Sequence, residues 1–283
     1  MSDIIHKKQG DMKVIVYGLG IIGASVAASL KAAGHEVLGK NRSRESVVYA
    51  LEHGMIDGEA HSLCGADVVF LALPPRVTMR VLDEGAFSEG CIVADICGVK
   101  APVEEVVLKK PRAWRYVGTH PMAGKETSGI RSASAALFRG ANFVMVKNAF
   151  TDPEAFSVVR ALAQDMGFGR IVECSAAEHD RMIALTSQLA HVVANSYVTT
   201  PLSAHCKGFT GGSFQDMSRV APVDEGVWAE LFSLNSACLC DEIGRLIARL
   251  WQFRDAVAAR DEEAICRLMR EGKERYLEFF REK

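Results

Sequence analysis

The sequence predicts an α/β fold, with an N-terminal Rossmann-type, doubly wound, mostly parallel sheet followed by an all-α dimerisation domain. Three observations predict it. A short apolar run, Met12-Lys13-Val14-Ile15-Val16-Tyr17, leads into Gly18-Leu19-Gly20-Ile21-Ile22-Gly23 and then into a small-residue stretch from Ala24 to Ala33. Further strand-like runs alternate with helical stretches as far as Cys174, the alternation that builds parallel sheets. From Ala176 onward the pattern is helical, with no convincing strand. These boundaries divide the chain into a dinucleotide-binding domain over 1–175 and a helical substrate and dimerisation domain over 176–283.

Bulk properties narrow the function classes. The chain has 283 residues, 49% hydrophobic and 24% charged, as expected of two globular domains with full cores. A formal net charge of -2 gives no general electrostatic case for nucleic acid. No apolar run approaches the ~20 residues of a membrane span. Met1–Asp11 is polar and reads as a leader before the first strand. None of the eight cysteines forms a Cys-x-x-Cys pair or stands at zinc-ligand spacing to histidines, so no metal site is expected. Free thiols imply a reducing, cytoplasmic setting.

The glycine-rich turn has the context that gives it meaning, since it follows a strand and opens a helix. The first glycine makes the tight turn, the second admits a pyrophosphate, and the third lets helix and strand pack closely. The residues Gly18, Leu19, Gly20, Ile21, Ile22 and Gly23 are therefore assigned to a dinucleotide, with the helix N-terminus facing its phosphates. His35–Gly39 reads as the second strand, and Gly34 stops the helix before it. NAD enzymes usually carry an acid at the end of that strand, to hold the ribose 2′-hydroxyl. Here Lys40-Asn41-Arg42-Ser43-Arg44 follows, with no acid before Glu45. Cationic and hydroxyl donors suit a 2′-phosphate, so Asn41, Arg42, Ser43 and Arg44 point to NADP as the preferred cofactor, with NAD possible.

Ala66–Leu73 and Cys91–Asp95 are the next strands, with helical stretches over Arg76–Leu82 and Val103–Leu108. Ligands bind beyond the carboxyl ends of such strands. Leu73-Pro74-Pro75, Asp95 and the turn through Gly98 to Lys100 should thus line one crevice with the glycine-rich turn. Trp114–Val117 reads as a strand that feeds a loop, Gly118-Thr119-His120-Pro121-Met122-Ala123-Gly124-Lys125-Glu126. His120 and Glu126 on that loop make a plausible catalytic pair, because histidine exchanges protons near neutrality. Asn142–Val146 and Arg170–Glu173 are two more strands, separated by a helix that Asp152-Pro153-Glu154 begins and Gly167 stops.

In the helical half, Ala176–Thr200 reads as one helix, with Ser187 and His191 on one face, and Val227–Arg260 as one or two. A histidine so placed is more often a satisfied core residue than a ligand. Gly211-Gly212-Ser213-Phe214-Gln215-Asp216-Met217-Ser218-Arg219 reads as a loop whose Arg219 either takes a substrate carboxylate or pairs with Asp216. Apolar positions from Leu231 to Trp251 exceed what one small bundle covers, which implies a homodimer through the helical half.

These motifs occur in one order: Gly18–Gly23, Asp95-x-x-x-Val99-Lys100, Gly118–Gly124 with Glu126, Thr186-Ser187-x-Leu189-x-His191, and Gly211-Gly212-x-Phe214-x-Asp216-x-x-Arg219-x-Ala221. Together they resemble the prephenate/arogenate dehydrogenase family of tyrosine biosynthesis over nearly the whole chain. The resemblance implies oxidative decarboxylation, with a hydride passing from ring C4 to the nicotinamide, the ring carboxylate leaving as CO₂, and aromatisation as the driving force. It assigns proton acceptance from the ring 4-hydroxyl to His120, a substrate carboxylate to Arg219, the substrate pocket to His191, and support of Arg219 to Glu126 and Asp216. Gly98, Thr119, Gln188 and Asp216 fall on the substrate side. One departure stands out: the family usually has a serine where Gly98 stands, so water, Thr119 or Cys97 must supply its hydroxyl. Two other readings are a reductase of the β-hydroxyacid dehydrogenase type and a non-catalytic NADP-binding sensor. The first expects a lysine that the helix 176–200 lacks, and the second leaves His120, Glu126, His191 and Arg219 without a reason to occur together.

Overall fold

β1 (Lys13–Tyr17), β4 (Val68–Leu71) and β5 (Ile92–Asp95) lie in the middle of the sheet, and their sequences explain why. Each is apolar on both faces, as a parallel strand covered by helices on each side must be. Val14, Val16, Phe70, Ile92 and Ala94 enter one core, with Leu30, Phe138, Phe143 and Phe156. Ile15, Val69, Leu71 and Val93 alternate into the other, with Leu82 and Trp114. The computed structural model describes residues 12–124 and 129–280; the expected leader Met1–Asp11 and Glu126 lie outside them.

The sheet has eight strands. Completing it are β2 (Glu36–Lys40), β3 (Gly58–Glu59), β6 (Arg115–Met122), β7 (Asn142–Val146) and β8 (Arg170–Cys174), in the order β3-β2-β1-β4-β5-β6-β7-β8. All neighbours are parallel except β6 and β7. The strand order reverses between β1 and β4, which makes their carboxyl ends the expected crevice. The connecting helices are α1 (Ile21–Ala32), α2 (Arg44–Glu52), α3 (Pro75–Glu84), α4 (Ala101–Leu108) and α5 (Pro153–Asp165). Asp152 caps α5 by accepting from Ala155 N at 2.8 Å, as the Asp-Pro-Glu signal predicts.

The remaining described elements are helical: α6 (Ala176–Ile183), a π turn (Ala184–Gln188), α7 (Leu189–Val198), α8 (Gly212–Ser218), α9 (Glu225–Leu234), α10 (Ser236–Ala258) and α11 (Glu262–Phe280), with short 3₁₀ turns at Ile130–Ser132 and Pro201–His205. By compactness the chain divides at Asn235, with α1–α9 and the sheet in one unit and α10–α11 in the other. Helix α6 packs on α4 and β7, and α9 packs on α3. Among the described residues, no helix is long and apolar enough to cross a membrane.

Three local expectations change. The stretch from Gly118 to Met122 is strand, because β7 pairs with it antiparallel, Gly118 opposite Val146 and His120 opposite Val144. Pro121 is tolerated there because the β5 ladder ends at Gly118, so that part of β6 has β7 as its one neighbour. The helix expected over 176–200 contains the π turn, whose extra residue breaks the i,i+4 spacing assumed for Ser187 and His191. Residues 212–218, expected as loop, form α8. The run from Val227, expected as one or two helices, is two, divided at Asn235, which is buried and gives its amide to Asp180 O and Gln188 Oε1, both at 2.8 Å.

Candidate active site

The turn between β1 and α1 is built for close approach. Gly18 adopts φ +105°, and a Cβ there would lie 2.1 Å from Ala72 O. A Cβ on Gly23 would lie 1.8 Å from Gly18 O. At Gly20 the space is open, with nothing within 4 Å of a Cβ. Gly20 is also the N-cap of α1, no side chain caps the helix, and no acid stands in its first turn. Tight packing on two sides and an open, electropositive helix end on the third fit a dinucleotide pyrophosphate. Asn41 braces the turn by accepting from Leu19 N at 3.1 Å. Ser43 caps α2, while Arg44, the first residue of α2, pairs with Glu59 at the end of β3. Leu73 flanks Gly18, and Pro74 and Pro75 open α3.

At the carboxyl end of β5 a buried polar network takes over. Asp95 is fully buried; it pairs with Lys100 Nζ and accepts from Tyr116 OH at 2.6 Å and Cys97 N at 2.9 Å. Thr119, also buried, donates to Asp95 O at 2.6 Å. The sequence placed Asp95 with the cofactor and Thr119 with the substrate. In this structure both shape the turn that carries Gly98, because a buried carboxylate must satisfy its acceptors within the protein. Burial and the Asp95 carboxylate push the Tyr116 phenol up, so it stays a hydrogen-bond donor.

His120 lies beside this turn. Its Nε2 would be 3.9 Å from a Cβ on Gly98, and its Nδ1 is 2.9 Å from His179 Nε2. His179 Nδ1 is in turn 2.7 Å from Asp180 Oδ1. Desolvation, the neighbouring His179 and the Lys100 ammonium hold His120 well below its ordinary 6.5. It is therefore neutral, with a nitrogen able to accept a proton. No motif marks His179 and Asp180: they are adjacent in a helical run, and the pairing with β6 is long-range.

On the helical side, His191 of α7 bonds its Nδ1 to Val220 O at 2.8 Å and packs tilted against Trp228, 3.7 Å between ring centres. Burial lowers its pKa. Val220 follows Arg219, the exposed C-cap of α8, so the contact draws α7 and the end of α8 together. Asp216 is exposed one turn earlier on α8. Gln188, expected at the substrate, is 1% exposed with its amide bonded to Leu231 O and Asn235, because the π turn rotates it inward. It tethers α9 to the π turn.

Comparison with known proteins decides the family. The family model "Prephenate dehydrogenase, nucleotide-binding domain" matches residues 26–173, and "Prephenate dehydrogenase, dimerization domain" matches residues 175–271. The chain belongs to the prephenate dehydrogenase family. Its two family domains meet at the β8–α6 junction, where Ser175 caps α6. Similar proteins include the prephenate dehydrogenase of Bacillus subtilis, 29% identical over 92% of this chain and 74% of that one. The cyclohexadienyl dehydrogenase of Zymomonas mobilis is 28% identical over 92% of this chain and 93% of its own. Among solved structures, prephenate dehydrogenase from Aquifex aeolicus, in complex with hydroxyphenyl propionate and NAD+, is 26% identical over 96% of this chain and all of that one, with a TM-score of 0.84. Membership in the prephenate dehydrogenase family removes the reductase of the β-hydroxyacid type as a competing reading.

At Gly98, where the motif resemblance expects a serine, the geometry makes a definite prediction. Its φ lies outside the left-handed range, so a side chain meets no backbone strain. A Cβ would be 3.3 Å from Leu231 Cδ2, a flexible tip that must give by a few tenths of an ångström, and near enough to His120 for a hydroxyl to reach the imidazole. Gly98→Ser is expected to retain or raise kcat in steady-state assays. A loss of more than about tenfold, or ~1.4 kcal/mol, would mean that Leu231 cannot yield.

Proposed function

We propose that the protein is an NAD(P)-dependent dehydrogenase that oxidatively decarboxylates prephenate or arogenate, giving 4-hydroxyphenylpyruvate or tyrosine. The observation that carries this reading is the neutral, half-buried His120 of a prephenate dehydrogenase family chain, with its Nε2 beside the open space at Gly98. The bound dinucleotide supplies the hydride acceptor for ring C4. His120 Nε2 accepts the 4-hydroxyl proton as C4 becomes carbonyl-like, and loss of the ring carboxylate completes aromatisation. Arg219 binds a substrate carboxylate, and His191, with its Nε2 left over, faces the same pocket. The assignments of Glu126 and Asp216 to positioning Arg219 rest on the motif resemblance. Because His120 is held below 6.5, the base form persists into mildly acidic solution, and the acid limb of kcat against pH falls below that value.

NADP is the preferred cofactor in this reading, and NAD the coarser expectation, since the Aquifex relative is described with NAD+. Arg42 is exposed in the turn after β2, and Ser43 and the Glu59-paired Arg44 sit at the N-terminus of α2, an arrangement suited to a 2′-phosphate. Wild type should show a higher kcat/KM with NADP. Asn41→Asp keeps an acceptor for Leu19 N but adds charge repulsion, and should move preference toward NAD. A wild-type preference for NAD would show the basic stretch to be solvated surface only.

A homodimer through the helical region is the second part of the proposal. Within the α10–α11 unit, Leu250, Trp251, Met269 and Phe279 are all more than half exposed, a set of large apolar groups that a partner would cover. Sedimentation at micromolar concentration should give the dimer mass, and a stable monomer would contradict it. All eight cysteines are free, which supports placing the protein in the reducing cytoplasm.

A further inference from the structure

We infer that His179 and Asp180 fix the tautomer of His120 and receive the positive charge when it accepts a proton, so that the base is a three-member chain, Asp180–His179–His120. The inference rests on His120 being the base, as proposed above, and extends it to two side chains that no motif in the sequence singled out.

The hydrogen bonds leave one assignment of protons. The Asp180 carboxylate is buried and held by the N-terminus of α4, accepting from Lys100 N at 2.7 Å and Ala101 N at 2.8 Å. An ionised carboxylate only accepts, so His179 Nδ1, 2.7 Å from Oδ1, is the donor. The other nitrogen of a neutral imidazole is an acceptor, so His179 Nε2 accepts from His120 Nδ1 at 2.9 Å. His120 Nε2 is then left with its lone pair, and it is this atom that lies beside Gly98. Without the chain, the two tautomers of His120 would compete, and the one with Nε2–H cannot accept a proton there.

The same contacts say where charge goes. The charged groups packed around the pair are Asp180 on α6, Lys100 at the start of α4, and Asp95 on β5, which is ion-paired with Lys100. Tyr116 and Cys97 touch Asp95 and stay protonated, both pushed up by burial. Burial and Lys100 disfavour protonation of both histidines, but the hydrogen bond to Asp180 opposes this at His179. His179 is therefore the better resting place. The substrate hydroxyl proton bonds to His120 Nε2, and the Nδ1 proton passes to His179 Nε2. The C4–H electron pair leaves as hydride for the nicotinamide, and the oxygen's O–H pair becomes the new carbonyl bond. His120 ends neutral with Nε2–H, and His179 ends as an imidazolium against the Asp180 carboxylate. Loss of CO₂ sends the C1–carboxylate pair through the ring onto the carbonyl oxygen, which takes back the Nε2 proton as the phenol, while the His179 proton returns to His120 Nδ1. His179 and Asp180 touch no reacting atom in this scheme; they are positioning residues.

Nitrogen-15 NMR of the imidazoles in the free protein tests this without any substrate. Wild type at neutral pH should show His120 protonated at Nδ1 and bare at Nε2. His179→Gln, which can hydrogen-bond but not carry the proton, and Asp180→Asn should each relax that tautomer. Each should lower kcat at least about tenfold with KM for the substrate and dinucleotide affinity near wild type, the pattern of a transition-state effect. An Nε2–H tautomer in wild type overturns the inference even if no variant folds. So does an unchanged tautomer with kcat within twofold in both variants. If the tautomer is as stated but neither prephenate nor arogenate turns over, the base assignment fails while the hydrogen-bonded chain stands.

Discussion

Replacing His120 with Asn should lower kcat by ~10²–10⁴-fold, the typical worth of a general base, and leave dinucleotide affinity unchanged. Asparagine keeps a polar group near the position of Nδ1, so the contact with His179 and the local fold can survive. What it removes is Nε2, the nitrogen beside Gly98. The glycine-rich turn at Gly18–Gly23 is formed by β1 and α1 and does not involve His120, which is why binding and catalysis should separate. Steady-state rates combined with a dinucleotide titration check this. A variant with near-normal kcat would place the base elsewhere.

Replacing Arg219 with Ala should raise KM for the substrate about 10- to 150-fold, the equivalent of ~1.5–3 kcal/mol for a charge-assisted hydrogen bond. Both candidate substrates carry two carboxylates, and a planar guanidinium binds a carboxylate through two parallel bonds. Arg219 is the C-cap of α8, its backbone N donating to Gln215 O at 2.9 Å, so truncating the side chain leaves the helix end intact. The effect on kcat should be smaller, because the contact forms in the ground state as well as the transition state. Saturation kinetics with KM for both substrates within twofold of wild type would make Arg219 a structural residue.

Most of the fold was legible because local signals and long-range pairing agree in the first half. A strand such as Ile92–Asp95 is apolar on both faces and can only be a covered parallel strand, and Asp152-Pro153 marks the start of α5 on its own. Where a tertiary contact decides, the sequence is silent. His120 looks like loop because Gly118, Pro121 and Gly124 surround it, yet β7 pairs through it and makes it strand. Short α8 was hidden by two glycines, and the π turn by an otherwise regular helical pattern. At the site, the glycine-rich turn was legible from its spacing between β1 and α1, and His120 was singled out by its motif. Asp95, Thr119 and Gln188 read as ligand contacts because they sit in or beside the motifs, but their side chains are held within buried networks. His179 and Asp180 escaped notice for the opposite reason. Their importance depends on a contact between β6 and α6, 59 residues apart, that no spacing in the chain announces.

Turnover itself tests the central claim most directly. The purified protein is given prephenate and arogenate separately, each with NADP and with NAD, while reduced nicotinamide and released CO₂ are measured together. The predicted result is one CO₂ per nicotinamide reduced with at least one of the two substrates, faster with NADP. No turnover of either substrate, or nicotinamide reduction without CO₂, would contradict oxidative decarboxylation as this protein's reaction.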